Sequence, residues 1–140
     1  MITAIDTNVL IALWDTKDAL NVAAQNALDS VCDSGKLVVS GMVFAELLSG
    51  PSRAEQMIED FLTETEIMID WTIDEPVWRS AAKAYQSYST RRKKQKQKEP
   101  KRILTDFLVG AHAYERKFAL LTLDNRIFKA AFPRLKVISA

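Results

Sequence analysis

Met1-Ile2-Thr3-Ala4-Ile5-Asp6-Thr7-Asn8-Val9-Leu10-Ile11-Ala12-Leu13 opens the chain, and its reading decides the fold. Ile2 to Ile5 is a short β-branched apolar run; three polar residues follow, and a new apolar segment of helical character begins near Val9. The pattern predicts a buried strand ending in Asp6. In an open α/β sheet ligands gather in the crevice at the carboxyl ends of the strands, which puts this carboxylate on the functional edge. Asp6 or Thr7 could equally cap the helix that follows, a role both residue types fill well.

Working outward, 140 residues at 48% hydrophobic content can bury one full core, so one domain over residues 1–140 is expected. The longest apolar runs, such as Val9 to Trp14, fall far short of the roughly 20 residues that span a bilayer. No basic segment followed by an apolar segment and a small-residue cleavage site opens the chain, so a cytoplasmic protein without membrane partners is expected. Cys32 is the only cysteine, which excludes an internal disulfide and a thiolate cluster, and it is expected to be a small buried hydrophobe.

The net charge of +1 hides an asymmetry. A basic loop at about 91–102 holds Arg91, Arg92, Lys93, Lys94, Lys96, Lys98, Lys101 and Arg102 against the single acid Glu99, a local charge of +7 that leaves −6 for the rest. Such a division suggests a polyanion for the loop and a cation for the body, although a solvated charge run without a dedicated ligand has the same composition.

In chain order, Asp18 can cap a helix in which Leu20, Ala23, Ala24, Ala27, Leu28 and Val31 recur at helical spacing up to Gly35. Lys36 to Ser40 reads as a second strand, and Ser40-Gly41 opens a helix carrying Glu46 among Met42, Val43, Phe44, Leu47 and Leu48. Gly50-Pro51 ends it, Ser52 starts another helix, and a short strand is expected near Glu66 to Ile69. Asp74-Glu75-Pro76 starts a helix predicted to run to about Tyr88, with Trp78, Ala81, Ala82 and Tyr85 inward. Beyond the basic loop, Phe107 to Tyr114 is apolar around most of its circumference and must be largely buried. Phe118 to Leu123 is the next strand; a short helix through Ala131 and a last strand at Lys136 to Ser139 complete the chain. Alternating strands and helices without NG or DG hairpins argue for a parallel sheet covered by helices.

Four acids sit where a buried element begins or ends: Asp6 after the first strand, Glu46 inside an apolar helix, Asp106 in the first turn of the buried helix and Asp124 after the fourth strand. Each has a plain alternative, as a cap, a dipole-favoured N-terminal acid or a side chain turned to water. If strands one and four are neighbours where the strand order reverses, however, Asp6 and Asp124 emerge into one crevice with Asp106 beside them. Carboxylates so packed repel one another unless a cation neutralises them. Oxygen ligands without thiolate or a histidine cluster indicate a hard ion, Mg²⁺ or Mn²⁺. Such a site polarises a phosphoryl oxygen and activates water for in-line attack, and the basic loop would hold the phosphate backbone.

The segments Ile5-Asp6-Thr7-Asn8-Val9-Leu10, Phe44-Ala45-Glu46-Leu47-Leu48, Thr105-Asp106-Phe107-Leu108-Val109-Gly110-Ala111-His112-Ala113 and Leu121-Thr122-Leu123-Asp124, with Phe128, resemble the PIN domain, specifically the VapC-type toxins of toxin–antitoxin pairs. The resemblance implies an α/β three-layer sandwich with a central parallel sheet of about five strands flanked by helices. It implies a metal-dependent endoribonuclease, a homodimer, and a cognate antitoxin that silences it. Asp6, Glu46, Asp106 and Asp124 match the family's acidic positions, Thr7, Asn8 and Thr122 match its supporting polar positions, and Asn125 is adjacent to the last acid. The basic loop is richer in lysine than the family requires, so its RNA contact is inferred from charge.

On this reading Asp6 and Asp106 hold the metal directly or through water, Asp124 completes the site, and Glu46 orients or deprotonates the attacking water. His112 is a lone histidine on an apolar helix and reads as a satisfied core or edge residue. A metal-free route through the RNA 2′-hydroxyl would want a positioned acid and base, commonly histidines, and only one histidine exists. A single-stranded RNA loop is the expected substrate, because its backbone can be splayed into a crevice. Two alternatives stay open: a PIN nuclease acting in RNA processing or on DNA, and a non-catalytic RNA-binding or scaffold module. Retention of four acids argues against the module. An antitoxin is expected on apolar positions such as Leu20, Met57 or Phe61, which could instead fill the core.

Overall fold

Strands buried on both faces need helices on both sides of the sheet, and parallel neighbours need crossovers long enough to contain them. The computed structural model of the protein describes residues 1–50, 53–95 and 102–140 and shows this arrangement. Strands β1 (Ile2–Ile5), β2 (Lys36–Ser40), β3 (Ile67–Asp70), β4 (Ala119–Thr122) and β5 (Val137–Ser139) form one sheet in the order β3-β2-β1-β4-β5, with every neighbouring pair parallel. Burial follows position: β4 is buried throughout, β1 and β2 nearly so, and the edge strands β3 and β5 are half open. The helices are α1 (Thr7–Trp14), α2 (Asn21–Ser34), α3 (Gly41–Leu48), α4 (Glu55–Glu64), α5 (Glu75–Lys94), α6 (Leu104–Glu115) and α7 (Asn125–Ala131). The fold is the α/β sandwich read from the sequence.

The strand order reverses between β1 and β4, which pair with Thr3, Ala4 and Ile5 opposite Ala119, Leu120 and Leu121. This register brings the first residue beyond β1 level with the end of β4: the Asp6 amide donates to Leu121 O at 2.9 Å. The junction rests on a core in which Ile5, Val9, Leu10, Val39, Leu47, Leu120 and Leu121 are all essentially inaccessible.

Helix α6 crosses this core with every residue from Phe107 to Ala113 buried. Phe107 sits 5.1 Å from the Tyr85 ring and 5.3 Å from the Tyr88 ring, so aromatic packing fixes α5 against the N-terminal half of α6. Gly110 permits the other close approach. A Cβ there would collide with the Phe132 ring and lie 3.0 Å from Phe128 Cδ1, so the bare backbone seats the aromatic residues around α7.

Several expectations change. Helix α5 continues six residues past Tyr88 to Lys94, which places Arg91, Arg92, Lys93 and Lys94 on its last turns rather than in a loop. No proline or glycine interrupts residues 88–94, and cations are favoured at a helix C-terminus. The buried face of α5 is Val77, Ala81, Ala84 and Tyr88, whereas Trp78 is 48% exposed and Ala82 is exposed. The apolar residues of α5 cover more than one stripe, and packing on α6 selects the phase. Cys32 is exposed, because α2 turns Ala24, Leu28 and Val31 inward and Cys32 follows Val31 by about 100° around the helix. Helix α2 begins at Asn21, with Asp18 Oδ1 accepting from the Leu20 amide ahead of it, and α4 begins at Glu55. Ser52, expected to start α4, lies outside the described residues, as do Lys96, Lys98 and Lys101. No helix among the described residues is long and apolar enough to cross a membrane.

Candidate functional site

Asp6 is both the N-cap of α1 and the centre of a polar cluster. Its Oδ1 accepts from the amide of Thr7, the first residue of α1, at 2.8 Å, and its Oδ2 accepts from Thr122 Oγ1 at 2.8 Å. Thr122 ends β4, is fully buried, and also accepts from the Asp124 amide at 3.0 Å. One hydroxyl thus ties the loops after β1 and β4 together. Asn8 reinforces the join: its Oδ1 accepts from the Leu123 amide at 3.2 Å and its Nδ2 donates to Thr122 Oγ1 at 3.5 Å.

Thr7 reaches the other way. Its hydroxyl donates to Glu46 Oε1 at 2.7 Å, so the half-buried Glu46 of α3 is held by the first turn of α1. Asp106 lies in the first turn of α6, where its Oδ2 accepts from the Ile103 amide at 3.2 Å. The Asp106 amide in turn donates to the Ile103 carbonyl, so both bonds at this helix start use the Ile103 backbone. Asp6, Glu46 and Asp106 feel one another electrostatically. Burial, with smaller contributions from Glu46 and Asp106, pushes the Asp6 carboxyl up to about 6 against the lowering hydrogen bonds from Thr122 and Thr7. Burial also raises Glu46, and Asp106 adds to that despite the Thr7 hydrogen bond. No cationic side chain compensates these three acids among the contacts of the described residues.

Asp124 differs. It precedes α7 without a capping bond from its side chain, and its Oδ2 pairs with Arg102 Nη1 at 2.6 Å. Arg102 is itself anchored, its amide donating to the Tyr88 hydroxyl at 2.6 Å. Asn125 donates to Ser139 Oγ on β5 at 2.6 Å. The structure therefore gathers Asp6, Thr7, Asn8, Glu46 and Thr122, sets Asp106 within electrostatic reach, and engages Asp124 with an arginine. Among the described residues no three His, Cys, Asp or Glu side chains form a group that could hold a metal ion as they stand. The donor set is nonetheless all oxygen and in net excess of negative charge, which suits a hard cation that keeps part of its water shell.

A second charged cluster lies at the end of β3. Asp70 Oδ2 contacts the buried His112 Nε2 at 2.8 Å and accepts from Arg116 Nε at 3.1 Å, while Arg116 also donates to Asp74 Oδ2 at 3.1 Å and Thr72 O at 2.8 Å. His112 is thus a satisfied core residue, as its setting in an apolar helix indicated. Burial alone would raise the Asp70 carboxyl, but hydrogen bonds from His112, Thr72 and Arg116 outweigh it and hold the group below its ordinary value.

The profile of the PIN domain matches residues 3–133. The chain belongs to the PIN domain family. A comparison with curated proteins gives no match. Among solved structures, this PIN domain is similar to FitAcB from Neisseria gonorrhoeae, with 20% identity and a TM-score of 0.66 over 99% of this chain and 97% of that one. It is similar to VapBC-1 from nontypeable Haemophilus influenzae, with 21% identity and a TM-score of 0.66 over 99% and 98%. It also resembles a sarcin-ricin-loop-cleaving VapC toxin of Mycobacterium tuberculosis, with 16% identity and a TM-score of 0.59 over 93% and 95%. At these identities the likeness establishes the PIN fold.

Proposed function

We propose that this PIN domain is a Mg²⁺- or Mn²⁺-dependent endoribonuclease and the toxin of a toxin–antitoxin pair. The observation that carries the reading is the junction at the strand reversal, where Asp6 is joined through Thr7 to Glu46 and through Thr122 to Asp124, with Asp106 adding to the uncompensated charge. The likeness to structures of VapBC complexes and to a toxin that cleaves the sarcin-ricin loop supports the choice of RNA and of an antitoxin partner.

In this reading Asp6 and Asp106 hold the cation, in part through water, and Asp124 completes the site. The chemistry such an ion supplies when bound is polarisation of a phosphoryl oxygen and a lowered pKa for the attacking water. Glu46 Oε1 is held by the Thr7 hydroxyl, which leaves Oε2 to orient that water and take its proton. Thr122 and Asn8 fix the Asp6 carboxylate without adding charge, so the acid keeps its aim while its electrostatic demand for a cation stays intact. A single-stranded loop is the favoured substrate, since its scissile phosphate can enter the crevice between the ends of β1 and β4. Leu20 and Met57, 46% and 44% exposed, remain open to an antitoxin, whereas Phe61 packs edge-on against Trp14 at 5.1 Å.

The test is cleavage of total RNA by the purified protein with Mg²⁺ or Mn²⁺, with chelator, and with Asp6→Asn. Discrete fragments that vanish with chelator and in the variant are expected. Undiminished cleavage in chelator would sink the metal assignment. The engagement of Asp124 by Arg102 favours one other reading, a PIN-fold RNA-binding module without catalysis. RNA binding with no cutting under any metal condition, in protein free of antitoxin, would select it.

A further inference from the structure

The Arg102–Asp124 pair lies in a groove of about 530 Å³, lined also by Arg91, Gln95, Arg126 and Ile127, which runs from the end of α5 to the first turns of α7. Three arginines from three different segments line it together with one carboxylate, which pairs with Arg102. Arg91 and Arg126 make no ion pair with any described residue, so the groove carries two positive charges beyond the one that Asp124 neutralises. Its position is fixed rather than incidental. Arg91 lies on the helix that Tyr85 and Tyr88 pin to Phe107, Arg102 is tied by its amide to the Tyr88 hydroxyl, and Arg126 is two residues from Asp124 on α7.

We propose that this groove is an RNA phosphate subsite adjoining the acidic crevice, in which Arg91 and Arg126 hold a backbone phosphate next to the scissile one and Arg102 is shared between that phosphate and Asp124. Guanidinium forks match phosphate oxygens in geometry and charge, and a groove with net positive charge beside an uncompensated acidic site sorts an incoming strand. The non-bridging oxygens go to the arginines, and the neighbouring phosphodiester lies over the acids. As the phosphate engages Arg102, the hold of Arg102 on the Asp124 carboxylate weakens at the moment substrate arrives. The inference rests on the nuclease reading for its purpose, but the binding it describes needs no metal.

The experiment measures binding of a 5′-labelled single-stranded RNA oligonucleotide by fluorescence anisotropy, in chelator, as a function of salt. Each lost phosphate contact to a single strand lowers the slope of log K against log salt by about 0.7, equivalent to about a fivefold weaker affinity at 0.1 M salt. Arg91→Ala and Arg126→Ala should each show that change and the double variant about 25-fold weaker binding, whereas Lys36→Ala, at the amino-terminal end of β2, should show little. Asp124→Asn should tighten binding severalfold by releasing Arg102. All lie at least partly at the surface, and circular dichroism confirms the fold of each. If the double variant keeps the parent's salt slope, the groove is no phosphate site even though metal-dependent cleavage stands. If the slopes change as expected and no metal condition gives cleavage, the groove stands and the nuclease reading falls.

Discussion

Two clusters of acids stand at the carboxyl edge of the same sheet and are built on opposite electrostatic terms. At the end of β3, Asp70 and Asp74 receive Arg116 and His112, and Asp70 is held below its ordinary pKa. At the β1/β4 reversal, Asp6, Glu46 and Asp106 receive hydroxyl and amide hydrogens only, and Asp6 and Glu46 are pushed up. The first cluster is complete within the chain and ties α6 to the segment after β3. The second is stable only to the extent that its acids take up protons or a cation arrives. The contrast teaches how to separate a structural acid from a functional one: the sign of what is left uncompensated matters more than burial or acid count.

Substitution at Glu46 should break the comparison most severely on the functional side. If Glu46 Oε2 handles the proton of the attacking water, Glu46→Gln lowers the cleavage rate by about 10²- to 10⁴-fold, as loss of a general base does. Because it removes a charge from a crowded site, it should leave the melting temperature unchanged or raised. Cleavage of a labelled RNA, measured beside thermal unfolding, separates the two effects. A large fall in melting temperature would assign Glu46 to structure. Thr122→Val comes next, at about 10- to 100-fold in activity, the range for losing a group that orients a metal-holding carboxylate. The valine preserves shape while removing the donor to Asp6 and the acceptor for the Asp124 amide.

The other cluster should behave in the reverse way. Asp70→Ala leaves the buried His112 and the Arg116 fork without their shared carboxylate and should destabilise the protein by about 2 kcal/mol, the scale of charge-assisted hydrogen bonds. For a chain of this size that is a fall in melting temperature of roughly 5 °C or more. Cleavage at a temperature well below the transition should change little. Loss of activity in a protein that remains folded would merge the two clusters into one functional site.

This division was only half legible in the chain. The strand ending in Asp6 and the burial of α6 follow from local patterns, because a β-branched run and an all-apolar helix leave few alternatives, whereas the strand reversal between β1 and β4 is long-range and the sequence carries it only as a condition. The pairing of Asp6 with Thr122 links residues 116 apart, and only the resemblance to the PIN domain marks both in the sequence. What escaped was long-range compensation. Neither the capture of Asp124 by Arg102 nor that of Asp70 by Arg116 has a signature at fixed spacing, and Asn125 gave no sign that its partner is Ser139. The phase of α5 was missed for a related reason: Trp78 is larger than Val77, but the surface of α6 accepts Val77, Ala81 and Ala84.

The smallest effect tests the sign of the contrast directly. Asp6 releases its proton near pH 6 in the folded protein and near 3.8 when exposed, so between these values the folded state holds a proton that the unfolded state has lost. Protons bound by the folded form favour it, and that advantage disappears as pH rises through about 6; the folded state is then left with a buried uncompensated charge. Thermal unfolding in chelator should show this as a difference between wild type and Asp6→Asn that shifts by several degrees in favour of the variant from pH 4.5 to pH 7 and is level above. Millimolar Mg²⁺ should stabilise the wild type increasingly over the same interval and leave Asp6→Asn nearly unaffected. Asp70 slopes the other way. Its depressed pKa gives stability that is present above its unfolded value and lost as pH falls further, so Asp70→Ala should approach wild type only in acid. If both variants diverged from wild type in the same direction, the two clusters would share one electrostatic design, and the distinction between an internally closed cluster and one that needs a cation would fail.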